Sequence, residues 1–297
     1  MNGFRFSFGV SARMILTATI TLAGGFQATR ADMLAYESFS GQAGQTLAGM
    51  NGGTGFAGAW EAGDLGPDNS AAYQVQANSL SGGTAPSAGG RVAALAQYSL
   101  GSGLSRDLAT PIGTPGTTVY ISMLVRADGT LNEGASGGFF GLLLNGSTTT
   151  PALSQDLFIG KTGGGSFGLE DRGGNNSHLS PTAAAIGASN LLVVKAQFAA
   201  SGVDTFTLYV NPTPGNMGTG VVKQDSFLGM INSVSLYSTG AFSLGELRVG
   251  TTLGDAIPAG ETLVAVPEPA SVVLLSLGGL GVAGLARIRR SRRAVLA

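Results

Sequence analysis

The sequence predicts an all-β protein, an antiparallel β-sandwich or jelly roll, with a signal helix before it and a transmembrane helix after it. About ten to fourteen segments alternate or run apolar over roughly four to ten residues and are rich in β-branched and aromatic side chains, as strands are. Glycine-rich turns separate these segments, and no convincing amphipathic helix lies between the two terminal apolar runs. Many short strands at such spacing are typical of two sheets packed face to face.

The predicted strands follow one another along a single exported domain, residues 32–255. In the last strand the apolar positions change phase near Gly245, which predicts a bulge there. Asn145-Gly146 is a two-residue hairpin signal, and Ser180-Pro181 predicts a single helical turn. The strands expected from the pattern are residues 32–39, 73–80, 91–98, 117–126, 138–144, 156–161, 166–171, 191–198, 204–211, 230–237 and 242–251.

Residues 1–31 have the features of a secretory signal peptide. Arg5 and Arg13 precede an apolar run over residues 14–26, and small residues follow at Thr29 and Ala31. A positive start, a short apolar core and small residues at the cleavage site define such a peptide. We therefore expect signal peptidase to cleave close to residue 31.

The charge balance and the absence of cysteine limit which partners the protein can bind and how the exported domain is stabilised. The whole chain has a net charge of −1, but residues 32–286 hold eight basic and all seventeen acidic residues, a balance of −9. A surface of this sign repels phosphates, so no nucleic-acid partner is expected. The chain has no cysteine, so the exported domain must hold together through its core alone.

Residues 256–265 read as a linker, and residues 266–297 have three parts. Val266-Pro267-Glu268-Pro269 holds an extended backbone, because each proline excludes a helix. Residues 270–286 are uncharged and would form a helix of roughly 26 Å, close to the roughly 30 Å hydrocarbon core of a membrane. The positive-inside rule places the basic tail, residues 287–297, in the cytoplasm. Its five arginines are Arg287, Arg289, Arg290, Arg292 and Arg293.

This arrangement resembles the PEP-CTERM sorting signal of Gram-negative bacteria. The resemblance implies that an exosortase, a membrane cysteine peptidase, recognises Pro267-Glu268-Pro269 and that the helix is then removed. The inner membrane would hold the protein only transiently, before release or transfer to the cell surface. The apolar run and arginines by themselves also fit an ordinary tail anchor.

A second resemblance involves the start and the end of the exported domain. Glu37-Ser-Phe39, the glycine-rich residues 51–56 with Trp60, and residues 245–252 are similar to exported PEP-CTERM proteins with a concanavalin-like, lectin- or glucanase-type sandwich. Trp60, the only tryptophan, is then a candidate platform for stacking on a sugar. The alternative is that it fills the core beneath the glycine-rich loop.

Catalytic residues are hard to assemble from this composition. The single histidine, His178, cannot build a multi-histidine zinc site, and its polar surroundings predict a solvated loop. No Gly-x-Ser-x-Gly elbow is present. Glycoside hydrolases use two carboxylates, but the Glu-x-Asp-x-x-Glu spacing of laminarinase-like sandwiches is missing. We therefore expect a protein that is not an enzyme.

No cofactor is expected, with calcium as the alternative. Asp64 with Asp68, and Glu170 with Asp171, are candidate oxygen ligands, since calcium prefers carboxylate and carbonyl oxygens. Neither pair follows the EF-hand spacing, and turns rich in Asp and Asn need no metal.

Together these features predict an exported, non-enzymatic surface or extracellular-matrix protein associated with exopolysaccharide. The alternatives are a lectin-like carbohydrate-binding module and, behind it, a glycoside hydrolase. Two carboxylates about 5–9.5 Å apart in a groove would indicate the hydrolase.

Overall fold

The computed structural model describes residues 33–62, 73–82, 85–86, 89–94, 102–129, 138–145, 156–213, 215–224 and 228–257. The predicted signal peptide and the sorting signal, residues 266–297, lie outside the described residues. Over the ranges given above, no helix has the length and apolar character needed to cross a membrane.

The described residues form seventeen strands and one short helix. The strands are β1 Met33–Glu37, β2 Glu61–Ala62, β3 Tyr73–Gln76, β4 Ser81–Gly82, β5 Ala85–Pro86, β6 Arg91–Ala94, β7 Ser102–Ile112, β8 Thr118–Ala127, β9 Phe140–Leu144, β10 Leu157–Lys161, β11 Ser166–Asp171, β12 Asn175–Ala183, β13 Ser189–Gln197, β14 Thr205–Val210, β15 Val221–Lys223, β16 Ile231–Ser238 and β17 Phe242–Gly250. The helix α1 is Leu253–Ala256.

Two antiparallel sheets contain almost all of these strands, which confirms the all-β antiparallel class. The eight-stranded sheet has the order β15-β14-β13-β8-β17-β6-β3, with β1 beside β17. The seven-stranded sheet has the order β12-β11-β10-β9-β16-β7-β2, and β4 pairs with β5 alone. This arrangement is consistent with a concanavalin-like sandwich.

The inner faces of the two sheets share one hydrophobic core. Alternate residues of each strand point inward, so Ile121 and Val194 of the eight-stranded sheet join Leu142, Ile159 and Leu236 of the other in one buried cluster. Burying such a side chain contributes about 1.5–3 kcal/mol. Since the chain has no cysteine, this cluster takes the place of disulfides as the main source of stability.

Several local predictions are confirmed and several are wrong. β11 has the predicted bounds, and the bulge lies between Gly245 and Leu247, where the pairing with β8 shifts register. The helical turn at Ser180-Pro181 is wrong, because these residues continue β12, an edge strand that tolerates proline. The hairpin itself is confirmed, because β9 and β10 pair antiparallel, and Asn145 has a turn-like φ of 57°. The two-residue connection is wrong, because β10 begins only at Leu157.

The folded domain extends past residue 255. Ala256 and Ile257, predicted to belong to the linker, are buried against Leu124 and Val193 on the outer face of the eight-stranded sheet. The Ser122 hydroxyl donates a hydrogen bond to the Ala256 carbonyl. The apolar outward residues of this sheet need a cover, and α1 with the residue after it supplies part of that cover.

A buried ion pair joins the two sheets near one edge of the sandwich. Arg106 of β7 and Glu37 of β1 both point inward, and their Nη1 and Oε2 atoms are 2.6 Å apart. Arg106 also donates hydrogen bonds to the Gly58 carbonyl, at 2.6 Å, and to Asn51 Oδ1, at 2.8 Å. Its guanidinium lies 4.4 Å from the centre of the Phe56 ring. The glycine-rich loop therefore folds around one arginine.

A second buried ion pair lies near the opposite edge. Lys223 of β15 reaches Asp171 of β11, with 3.2 Å between Nζ and Oδ1. The ammonium also donates a hydrogen bond to the Asn176 carbonyl at 2.9 Å. In the described part of the chain, a charged contact between the sheets thus lies near each of these two edges.

We predict that Glu37→Ala lowers the free energy of unfolding by about 3–5 kcal/mol, because it leaves the Arg106 guanidinium buried without its counter-charge. The measurement is urea unfolding followed by the fluorescence of Trp60, the only tryptophan, which is fully buried. Glu61→Ala, at an exposed position of β2, is the control. Equal losses in the two variants would show that the ion pair does not support the fold.

Candidate functional site

A cleft of about 390 Å³ lies on the outer face of the seven-stranded sheet. It forms there because Leu143 pairs with Phe158, and Phe158 pairs with Glu170, in register across β9, β10 and β11. Residues in register share one face of a sheet, and this is the face opposite the core. The volume falls within the range of small-molecule sites, about 300–1,000 Å³.

Aromatic rings form one wall of the cleft. The ring of Phe139 lies 4.7 Å from that of Tyr237 and 5.9 Å from that of Phe158, measured between ring centres. Phe158 and Leu143 are buried beneath, whereas Phe139 and Tyr237 are half-buried. Two aromatic rings therefore present part of their surface to the cleft.

The row of the sheet beside Tyr237 has no side chains for three strands. Tyr237 pairs with Gly141, which pairs with Gly160, which pairs with Gly168. A Cβ atom on Gly141 would lie 2.2 Å from the Ile159 carbonyl oxygen, so only glycine fits between these strands. The residues of this row therefore place no side chain of their own on the sheet next to the tyrosine ring.

Polar side chains of β11 and β12 form the other wall. The Ser177 hydroxyl donates a hydrogen bond of 2.9 Å to Oε2 of Glu170, whose residue is 7% exposed. Burial raises the pKa of Glu170, while the Ser177 hydrogen bond and the charge of Lys223 act in the opposite direction. Among the described residues, Ser177 supplies the one hydrogen bond that Glu170 accepts, so Oε1 of this lining residue remains an available acceptor.

Arg172 completes the polar wall and is held from behind by Asp156. Arg172 Nη1 lies 3.2 Å from Asp156 Oδ2. Burial raises the pKa of Asp156 to about 6, although the charge of Arg172 lowers it. Within the described ranges this is the one hydrogen bond of the Arg172 side chain, so its remaining N–H groups are available to a ligand.

Trp60 occupies the core position. Its side chain is fully buried, and its ring lies 6.1 Å from that of Phe39 and 6.4 Å from that of Phe56. A ring without solvent exposure cannot stack on a sugar, so this position does not fit the stacking role. It fits the alternative, a core residue beneath the glycine-rich loop.

Glu170 and Asp171 lie on opposite faces of β11. Glu170 points into the cleft, whereas Asp171 faces inward to Lys223 and accepts a hydrogen bond from Asn176 at 2.7 Å. These two carboxylates do not converge on one ion. The solvated loop predicted for His178 is wrong, because the residue lies half-buried on β12 opposite Leu169.

No group of three or more His, Cys, Asp or Glu side chains in the described part of the chain is placed to hold a metal ion. The other calcium candidates, Asp64 and Asp68, lie outside the described residues. So do the sorting residues, Val266, Pro267, Glu268 and Pro269, and the five arginines Arg287, Arg289, Arg290, Arg292 and Arg293.

Sequence reasoning missed the aromatic wall and Arg172. Phe139, Phe158 and Tyr237 belong to three predicted strands, but their proximity depends on the strand order β10-β9-β16. One signal was available: residues 138–144 are apolar throughout, and a strand apolar on both faces is covered on both.

The fold and the cleft together define an all-β sandwich protein with a ligand-sized aromatic cleft on one outer sheet face. Residues 265–292 match the model of the PEP-CTERM protein-sorting motif, which confirms the resemblance found in the sequence. The chain thus carries a PEP-CTERM sorting motif, and this motif implies export, a membrane-anchored intermediate and processing by an exosortase.

Several solved structures are similar to this chain at low identity, whereas no curated protein sequence matches it. An endo-β-1,4-glucuronan lyase from the fungus Trichoderma reesei is 11% identical, with a TM-score of 0.45 over 77% of this chain and 100% of that one. The globular domain of T. cruzi calreticulin is 10% identical, with a TM-score of 0.43 over 75% of this chain and 89% of that domain. The carbohydrate recognition domain of Emp47p is 10% identical, with a TM-score of 0.35 over 65% of this chain and 95% of that domain. Similarity at this level assigns neither ligand nor activity to this chain.

The raised pKa of Asp156 predicts a pH dependence of stability. An unfolded aspartate has a pKa of about 3.9, so between about pH 4 and pH 6 the native chain holds a proton that the unfolded chain has lost. Stability therefore falls as pH rises through this window. We expect the wild type to lose up to about 3 kcal/mol across it relative to Asp156→Asn, which cannot titrate.

The measurement is urea unfolding by Trp60 fluorescence at pH values spanning this window. Asp107→Asn, at an exposed position of β7, controls for the loss of a surface charge. Parallel pH profiles for the wild type and Asp156→Asn would contradict the assignment.

Proposed function

We propose that this chain is an exported, non-enzymatic surface or extracellular-matrix protein that binds exopolysaccharide in its aromatic cleft. The observation that carries the proposal is that the cleft has an aromatic wall on one side and a polar, charged wall on the other. Tyr237 and Phe139 offer apolar ring surface, which suits the C–H face of a sugar ring. Glu170 and Arg172 offer an acceptor and donors, which suit sugar hydroxyls.

Delivery to the cell surface follows from the sorting motif in this proposal. Signal peptidase removes residues 1–31, and the helix of residues 270–286 holds the protein in the inner membrane with the arginine tail in the cytoplasm. The exosortase then acts at Pro267-Glu268-Pro269, with this chain as its substrate. The charge of −9 over residues 32–286 keeps the exported part soluble.

The composition of the cleft supports binding rather than hydrolysis. Of the described residues that line it, Glu170 alone carries a carboxylate. Glycoside hydrolases use a pair of carboxylates on either side of the scissile bond. A single carboxylate next to an arginine can orient a sugar by hydrogen bonds without cleaving it.

Tyr237→Ala tests the cleft. Removing the ring deletes one of the two half-buried aromatic surfaces of the cleft, so we expect a loss of affinity of about tenfold or more, equivalent to about 1.4 kcal/mol. Affinity electrophoresis in gels containing exopolysaccharide from the producing cells measures this. The matched control is Tyr209→Ala, a half-buried tyrosine on β14 of the other sheet.

Equal retention of Tyr237→Ala and Tyr209→Ala would place the polysaccharide contact outside the cleft. A wild-type protein that the polysaccharide does not retard would overturn the binding function itself.

Glu268→Ala tests the sorting step. We expect a full-length membrane form, because the exosortase loses the acidic residue between the two prolines. The measurement is the intact mass of the protein from cells and from medium. Glu261→Ala, which removes an acidic residue outside the motif, should be processed like the wild type, and unchanged processing of Glu268→Ala would contradict the motif's role.

A further inference from the structure

The charges around the cleft are arranged asymmetrically. Glu170 and Arg172 are the two charged residues among its described lining residues. Behind Arg172, outside the lining, lies Asp156 at 3.2 Å. Among the described lining residues, the cation thus already has a carboxylate partner, whereas the anion has one oxygen without a hydrogen bond from the described residues.

Glu170 is suited to hydroxyl donors. Its Oε2 accepts the Ser177 hydrogen bond, and its Oε1 accepts none from the described residues. Burial and the charge of Asp171 raise the pKa of Glu170, whereas the Ser177 hydrogen bond and the charges of Lys223 and Lys161 lower it. In its ionised form the carboxylate accepts hydrogen bonds and donates none, so the matching ligand group opposite Oε1 is a donor, such as a sugar hydroxyl.

A sugar carboxylate would meet repulsion at one side of this cleft and only a weakened attraction at the other. Opposite Glu170 it would bring two negative charges together in a site where Glu170 is 7% exposed, and charges interact more strongly away from water. Opposite Arg172 it would meet the remaining N–H groups, but Asp156, whose side chain is 7% exposed, already offsets part of the charge of the guanidinium. Complementary charge is a main source of selectivity between related ligands.

We infer that the cleft selects neutral saccharides over saccharides built from uronic acids, and that Glu170 is the specificity-determining residue. This inference rests on the proposed saccharide-binding function. It assigns to the cleft an uncharged polysaccharide, with hydroxyl groups against Glu170 and Arg172 and a ring face against Tyr237.

The test uses two pairs of hexasaccharides that differ only at the sixth carbon of each sugar. One pair is β-1,4-linked glucose and β-1,4-linked glucuronic acid; the other is β-1,4-linked mannose and β-1,4-linked mannuronic acid. The full chain is purified in a detergent without a sugar headgroup, and binding is measured by titration calorimetry at neutral pH. We expect the neutral member of at least one pair to bind about tenfold or more tightly than its uronate.

The variant Glu170→Gln keeps the shape of the side chain and removes its charge. We expect the ratio of neutral to uronate affinity to fall at least about fivefold, mainly because the uronate binds better. Glu61→Gln makes the same charge change at an exposed position of the same sheet and should leave the ratio unchanged. The unfolding midpoint from Trp60 fluorescence reports whether either variant is folded.

The outcomes separate the two proposals. A uronate that binds the wild type as tightly as its neutral partner, or more tightly, overturns the selectivity but leaves saccharide binding in place. Failure of all four hexasaccharides to bind overturns saccharide binding by the cleft. The wild-type comparison decides the selectivity even if Glu170→Gln does not fold.

Discussion

The buried contact between Arg106 and Glu37 determines how the start of the domain is built. Arg106 belongs to the seven-stranded sheet and Glu37 to the eight-stranded one, and their side chains are 1% and 5% exposed. Two charges removed from water are stable only when each is fully paired and hydrogen-bonded. Asn51 and the Gly58 carbonyl complete that set, so the glycine-rich loop must close over the arginine. The ion pair of Arg106 and Glu37 therefore fixes both the conformation of this loop and the distance between the sheets at this edge.

Most strands could be predicted because apolar and polar residues alternate regularly along them. Strands whose inward residues depend on contacts with distant strands could not. The bounds of β11 and the bulge after Gly245 follow from local phase. β7 was missed because the inward position of Arg106 interrupts the apolar alternation; its partner, Glu37, lies 69 residues away. β12 was missed because an edge strand keeps few buried residues, and it shows a mostly exposed pattern. The pattern of neighbouring residues cannot show that a charged side chain is buried and neutralised by a residue of a distant strand.

The sorting motif and the cleft differ in how far the sequence reveals them. The sorting motif is contiguous, so Pro267-Glu268-Pro269 with its apolar run and arginines can be recognised without any structure. The cleft is not contiguous: Phe158, Glu170 and Tyr237 come together only through the register of β10, β11 and β16 with β9 between. The sequence offers Glu170 only beside Asp171, as a calcium ligand or as half of an acidic pair whose members point to opposite faces of a strand, because its aromatic neighbours are distant in the chain.

The last described residues, Ala256 and Ile257, pack on the outer face of the eight-stranded sheet, whereas the cleft opens on the outer face of the seven-stranded sheet. The described part of the chain therefore ends on the layer opposite the one that carries the cleft. A pull between a polymer in the cleft and an attachment beyond residue 257 would act across the two layers. Such a force would act on the shared core and on the two charged edge contacts at the same time. It would not separate single strands one after another from the edge of a sheet.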